Sequence, residues 1–327
     1  MRWLRQRYFG DLPDAVVALT GVSFCVALGF GIVTPVIPVF AKTFHVSALQ
    51  ATAVISVFAA MRFVSAGPAG WLVNRLGERT VLWVGLAIVA ASSALAGLAQ
   101  SYVQLLVLRG LGGTGSSMFT VSAMSLLLRV VDAAHRGRAT SRYQSGFLIG
   151  GLAGPAVGGL VVAWSIRAPF FVYAGTLIAA AWVARTQLPK RMGHQKHDAS
   201  VSANQEPQMP LRAAIELREY WTALTLNFTT GMTTFGMRSA LLPLYVVEAL
   251  HHGPSLVSFG FLAASAVQAA CLIPSGTITD GTGRKPALLI GSVALTLGMV
   301  ALLVSETVPA FFIYMALVGG SAAFLSA

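Results

Sequence analysis

Charge is what this chain has least of: Asp, Glu, Lys and Arg make up 10% of its 327 residues, well below the roughly 25% of soluble domains. Acid is scarcer than base, with 11 Asp and Glu against 22 Lys and Arg. No carboxylate falls near the middle of an apolar run, so a membrane-buried acid that takes up and releases protons is not evident. The two cysteines, Cys25 and Cys271, each lie inside an apolar run. There a buried free thiol is the default, and neither residue informs on redox compartment. No Gly-Lys-Ser or Gly-Lys-Thr occurs, which removes the P-loop and with it ATP hydrolysis by this chain. The apolar runs show no alternation of period two, which excludes a closed β-barrel. No catalytic constellation and no cofactor site can be read, and His194 and His197 lie in a polar stretch as solvated residues rather than metal ligands.

What is present is oil. The sequence is 56% hydrophobic with a mean hydropathy of +0.74. It contains ten apolar stretches of the length, about 20 residues, that crosses a hydrocarbon core: 15–41, 48–72, 80–99, 103–128, 141–164, 168–186, 220–248, 255–276, 286–305 and 308–327. The fold class is therefore an all-α membrane protein, a helical bundle embedded in the lipid bilayer. A net charge of +11 would point to nucleic acid in a soluble protein, but here its distribution points elsewhere. Of the 22 Lys and Arg, 17 fall before the first span or after every even-numbered span, while Lys42 and Arg167 flank the opposite side. Positive charge marks the cytoplasmic face, so the amino terminus is expected inside the cell, in a multi-pass protein of the plasma or inner membrane, with no role for nucleic acid. The first apolar run is too long, and lacks the small-residue cleavage site, for a signal peptide.

One polar stretch, "PKRMGHQKHDASVSANQEPQMP" at 189–210, interrupts the pattern and reads as a cytoplasmic linker. The expected organisation is a six-helix bundle over 1–186, a linker over 187–218 and a four-helix bundle over 219–327. The two bundles echo each other. Phe30-Gly31 with Pro38 is matched by Phe235-Gly236 with Pro243, and Pro68, Gly70, Gly77 and Gly85 recur 206 residues later as Pro274, Gly276, Gly283 and Gly291. A constant offset over several helices is an internal repeat.

Within that repeat, "GWLVNRLGER" at 70–79 supplies Gly70, Asn74, Arg75, Gly77 and Arg79 between the second and third spans. "GTITDGTGRK" at 276–285 supplies Gly276, Asp280, Gly283, Arg284 and Lys285 between the eighth and ninth. Glycines permit a tight turn at the membrane face, and the charges make switchable contacts with helix ends. This pair of loops resembles the signature of the major facilitator superfamily, with Asn74 where the family usually has Asp. The fifth span adds "GGLAGPAVGG" at 150–159, similar to the Gly-Pro signature of the family's drug/proton antiporters. Its Gly150, Gly154 and Gly158 continue a bare stripe from Gly146, Pro155 loosens the helix, and Gly159 flanks it. The small residues of the eighth span are the expected partner of that stripe. The fourth span carries Arg109 followed by Gly112, Gly113 and Gly115, which resembles a third family signature, proposed in relatives to assist proton transfer; Gly112 replaces the family's customary glutamine. The same glycines satisfy a dinucleotide fingerprint, but inside an apolar span there is no strand, turn and helix to receive pyrophosphate.

Arg62, Arg109 and Arg238 lie within spans, where cations are costly and face a bundle interior or wet cavity. Arg62 and Arg238 are therefore candidate cavity or relay groups, and the three arginines favour an anionic or neutral ligand over an organic cation. Thr34, Tyr143, Gln144, Asn227, Thr230, Thr234 and Gln268 are cavity candidates by position. The resemblance implies a secondary transporter, not an enzyme: a monomer that exports small molecules or drugs against protons by alternating access. A non-transporting membrane sensor of the same fold is the other reading, distinguished by ligand binding without flux. The resemblance also implies twelve helices in two sets of six, whereas ten are found, six plus four. A fragment or an inactive truncated product is the expectation, with helices 11 and 12 missing and Asn74 left without its partner.

Overall fold

The computed structural model describes residues 13–132, 135–188, 216–282, 284–304 and 307–326. Each of the ten apolar stretches is helical. The first holds α1 (Asp14–Val33), a 3-10 turn at Thr34–Val36 and α2 (Ile37–Lys42). Pro35 and Pro38 lack the amides that would continue an α-helical ladder through that turn. The second is a pair, α3 (Ala48–Val64) and α4 (Ala66–Leu76), bent by 47° at Ser65. Then come α5 (Glu78–Gly97), α6 (Tyr102–Val130), α7 (Arg136–Trp164) and α8 (Ala168–Gln187). Beyond residues 189–215, where most of the expected linker lies outside the described residues, the seventh stretch is segmented. It comprises α9 (Arg218–Thr230), a π-helical segment at Gly231–Met237, and the short α10 (Arg238–Ala240) and α11 (Leu242–Glu248). The last three are α12 (Pro254–Thr282), α13 (Arg284–Val304) and α14 (Val308–Ser326). Among the described residues, eight helical spans are long and apolar enough to cross a membrane, and the bent pair makes nine. The seventh stretch is the one that segmentation keeps out of that count.

Local signals set the ends. Ser47 caps α3 in a reciprocal box, accepting from the Gln50 amide while the Gln50 side chain accepts from the Ser47 amide. Gly77 turns α4 into α5 at φ 85°, a conformation that costs a residue with a Cβ. The repeat is written into the backbone too. His45 and His251, 206 residues apart, are the non-glycine residues at positive φ among those described (56° and 54°), each just beyond the short helix that ends its unit.

Apolar side chains bury into two clusters. The larger draws on α1 to α3 and α5 to α8 and includes Leu19, Phe40, Leu82, Leu105, Phe119 and Leu177; Leu244 from α11 joins it. The smaller gathers Leu242, Val257, Phe261, Phe311, Tyr314 and Met315. Between the two sets of helices, α7 packs along α12, α2 meets α11, and α10 meets α3.

Candidate functional site

The loop signature is a docked turn. Asn74 and Arg75 are exposed, with the Arg75 guanidinium 5.2 Å from the Trp71 ring centre. No neighbour comes within 4 Å of where a side chain at Gly70 would begin. The acid that binds is Glu78, only 7% exposed in the first turn of α5, where a carboxylate also meets the positive end of the helix dipole. It pairs with Arg129 of α6 at 3.0 Å and accepts from the Ser125 hydroxyl at 3.4 Å. Arg79 donates to the main-chain carbonyl of Arg185 at the end of α8. The turn thus ties the near ends of α5, α6 and α8 together. In the second copy, Lys285 is exposed at the start of α13. Gly283 and the side chains of Asp280 and Arg284 lie outside the described residues, as does Gly276 beyond its place in α12. Pro274 sits inside the unbroken α12, whereas the equivalent Pro68 follows the bend at Ser65.

The glycine stripe has a different partner from the one expected. It packs on α1, within the first set of helices, not on α12. A methyl group added at Gly146 would overlap the Ser23 hydroxyl, and one at Gly150 the Phe24 carbonyl. At Gly154 it would stand 2.7 Å from the Leu28 carbonyl and 2.8 Å from the Gly31 Cα; at Gly158, 3.1 Å from Ile32. Ser23 then donates to the Tyr143 carbonyl at 2.9 Å, a buried cross-link made possible by that closeness. Pro155, inside α7, presents its ring to Gly31. On the other flank, a methyl at Gly159 would meet Ser258 and Phe259 of α12 at 3.4–3.8 Å, ordinary contact. The small-residue stripe told of a close approach but not from which side; α1 has its own glycine, Gly31, to complete it, while Gly29 faces Tyr173 and Thr176 of α8.

The third set of residues converges inside the first bundle. Arg109 is 1% exposed. Its guanidinium lies 4.5 Å from the Phe58 ring centre, and Phe30 links Phe58 to Tyr173, each pair of ring centres 6.5 Å apart. Arg109 and Tyr173 are within electrostatic reach of each other. The Arg109 Nε and Nη1 have no hydrogen-bond partner among the described residues. Gly112 and Gly113 bring α6 close enough to set this up, Gly113 against the Phe58 carbonyl and Arg62 amide, Gly112 against Ser92. Gly115 meets the Gly85 carbonyl of α5. Arg62 lies one turn beyond Phe58 on α3; it is exposed, donates to the Thr120 hydroxyl at 3.0 Å and is within electrostatic reach of Tyr143 and Tyr173. Its charge thus sits at the contact of α3 with α6, on the side from which it reaches the tyrosines of α7 and α8.

Arg238 repeats the theme in the second set of helices. Its guanidinium stacks 4.6 Å from the Phe261 ring centre, donates to the Phe261 carbonyl at 3.5 Å and lies near Tyr314. It is not brought together with Arg62 and Arg109 in one cluster by any contact described. Of the positional cavity candidates, Thr34 and Tyr143 are buried, and Thr34 donates to the Phe30 carbonyl. The side chains of Asn227, Thr230 and Thr234 lie outside the described residues.

Two groups escaped sequence reasoning. Phe58 and Tyr173 carry no signal beyond being aromatic. The pair Lys42–Glu248, at 2.6 Å, joins α2 to α11, and its signal was available: opposite charges follow the matched prolines Pro38 and Pro243 by four and five residues.

Comparison with known proteins agrees with this geometry. The chain is 24% identical over 238 residues to the quinolone resistance protein NorA of Staphylococcus aureus, covering 72% of this chain and 59% of that one. It is 26% identical over 166 residues to multidrug resistance protein 2 of Bacillus subtilis, covering 51% of this chain and 41% of the other. The chain thus spans about three fifths of the length of the NorA proteins it matches. Among solved structures, a bacterial homologue of the human lysosomal transporter Spinster, inward-facing and unoccupied, superposes with a TM-score of 0.69 at 17% identity, over 95% of this chain and 73% of that one. Its occupied form gives 0.70 at the same identity and covers 95% and 72%. The Major Facilitator Superfamily pattern matches residues 19–327, and with the docked loop and the α7 stripe in place the chain belongs to that superfamily.

Proposed function

We propose that the protein is a secondary transporter that moves small molecules out of the cell in exchange for protons, by alternating access between two repeat-related sets of helices. The observation that carries this reading is the meeting of the repeats. Lys42 and Glu248, which end the corresponding short helices α2 and α11, pair with each other across the boundary, as expected when two copies of a unit face each other about an axis through the bundle. The pair closes the end remote from the loop signature, so the path is read as open toward that loop. The two sets of helices, 1–186 and 219–327, are read as the rocking bodies, with 187–218 as the linker between them. Similarity to NorA and to the Bacillus multidrug resistance protein supports drug-like substrates, and the Lys and Arg bias supports a cytoplasmic amino terminus in a cell membrane. The chain is read as a monomer.

The test is flux. Purified protein in liposomes, given an inward-directed proton gradient across correctly oriented molecules, is expected to drive a fluorescent lipophilic dye in the opposite direction, and a protonophore is expected to abolish that movement. Dye movement indifferent to the gradient would overturn proton coupling. No movement of any compound that demonstrably binds would overturn the transporter reading.

A further inference from the structure

We propose that Arg62, backed by the buried Arg109, forms an anion-receiving site in the first bundle, and that the preferred substrates carry a carboxylate or similar acid on an apolar body. The proposal rests on the transporter reading only in calling the ligand a substrate. The site itself rests on four observations.

First, the interior holds base without acid. Arg62, Arg109 and Arg238 lie within spans, while every one of the 11 Asp and Glu in this chain falls at a span end, in a loop or in the linker. An isolated cation held in an apolar interior costs several kcal/mol unless it is paired, and among the described residues neither ion pair, Lys42–Glu248 or Arg129–Glu78, involves any of the three. Second, Arg109 is 1% exposed, yet two of its polar atoms, Nε and Nη1, have no hydrogen-bond partner among the described residues. A guanidinium offers five donors in a fixed fork. The Phe58 face satisfies the charge in part but takes none of those hydrogen bonds. Third, Arg62 supplies the accessible charge. It is exposed and spends one described hydrogen bond, to Thr120, so most of its fork is open to a ligand. Fourth, the surroundings suit an acid with an apolar body. Tyr143 and Tyr173, whose hydroxyls can donate to an anion, are buried 97% and 98% beside the rings of Phe147 and Phe30. An organic cation entering there would meet two positive charges in a medium that screens them poorly. An acid would meet a charge-assisted, bidentate receiver.

Three probes of one shape test this: 2-naphthoate, its amide and the corresponding naphthylmethylammonium, titrated into the purified full chain in detergent by calorimetry. The carboxylate is expected to bind about 10-fold or more tightly than the amide, the scale of one charged hydrogen bond, and the ammonium more weakly than either. Arg62→Gln is expected to remove the carboxylate's advantage over the amide, while Arg62→Lys keeps part of it. A monodisperse gel-filtration profile and a melting temperature close to that of the unsubstituted chain show that the variants fold. Equal binding of carboxylate and amide, absent carboxylate binding, or an advantage that survives Arg62→Gln would each overturn the site. The two readings fail separately. Proton-driven flux of all three probes without preference overturns the anion site and leaves transport standing; carboxylate preference lost in Arg62→Gln but without flux supports the site and overturns transport.

Discussion

At Gly150 the backbone of α7 lies so near the Phe24 carbonyl that a single methyl has nowhere to go, whereas at Gly151, the next residue, no neighbouring atom stands within 4 Å of where a methyl would be. Neighbouring alanine substitutions should therefore differ in sign. Gly150→Ala forces α1 and α7 apart and is expected to cost about 1–3 kcal/mol, the range of core overpacking. Gly151→Ala removes only glycine's excess freedom in a helix and should gain about 0.5–1 kcal/mol. Melting temperatures of the two variants in one detergent check this, and a loss at both sites would show that the close approach is not what decides. Glu78 offers a second contrast. Its carboxylate is nearly buried while its partner Arg129 is half exposed, so breaking the pair should cost more than an exposed ion pair and less than a fully buried one, about 1–2 kcal/mol. Glu78→Gln and Arg129→Gln should each show that loss, and the double variant much less than their sum. Additive losses would mean that the two residues act independently.

Helices were the part of this molecule that could be read before any coordinates: 20 apolar residues in a row have few alternatives, and all ten stretches are helical. Interruptions were harder. The break at Ser65 has a local cause in Pro68, which has no amide to bond the Val64 carbonyl four residues back, but the equivalent Pro274 leaves α12 unbroken, and no pattern announces the π-helical segment at Gly231–Met237. The candidate site divides along the same line. Arg62 and Arg109 stood out because charge in an apolar run is rare and costly. Phe58 and Tyr173 did not, since a ring that stacks on a guanidinium looks in sequence like any other core aromatic. The stripe on α7 announced a partner without naming α1. The α2–α11 contact yields an element-scale prediction. Lys42 and Glu248 are 29% and 49% exposed, so their pairing is worth at most about 1 kcal/mol, a population shift of about fivefold. With spin labels at Thr43 and Ala249, Lys42→Glu should lengthen the mean separation, and adding Glu248→Lys should restore it. An unchanged distance distribution in Lys42→Glu would show that the pair holds nothing closed.

Taken whole, the molecule is unevenly packed. Half or more of the apolar window is buried in the first span and in α5, α6 and α14, against 28% for α12 and 17% for α13. Fewer buried contacts mean lower local stability, and each set of helices carries one free thiol to report it: Cys25 on α1 and Cys271 on α12, both partly buried. On heating in detergent, Cys271 should become reactive toward a maleimide at a lower temperature than Cys25. Simultaneous exposure of the two would mean that the sets of helices melt as one body. The uneven packing also has a mechanical side. Helix α7 presses glycine against bare backbone on its α1 flank, and touches Ser258 and Phe259 of α12 at ordinary distances from Gly159 on the other. One flank has no slack and the other has some, so rocking between the repeats is expected along the α7–α12 line rather than inside the first bundle. In a saturation-mutagenesis screen for drug tolerance, the moving joint would then appear without any further coordinates: a column of invariant glycines facing α1, and beside it at Gly159 a position where alanine passes unnoticed.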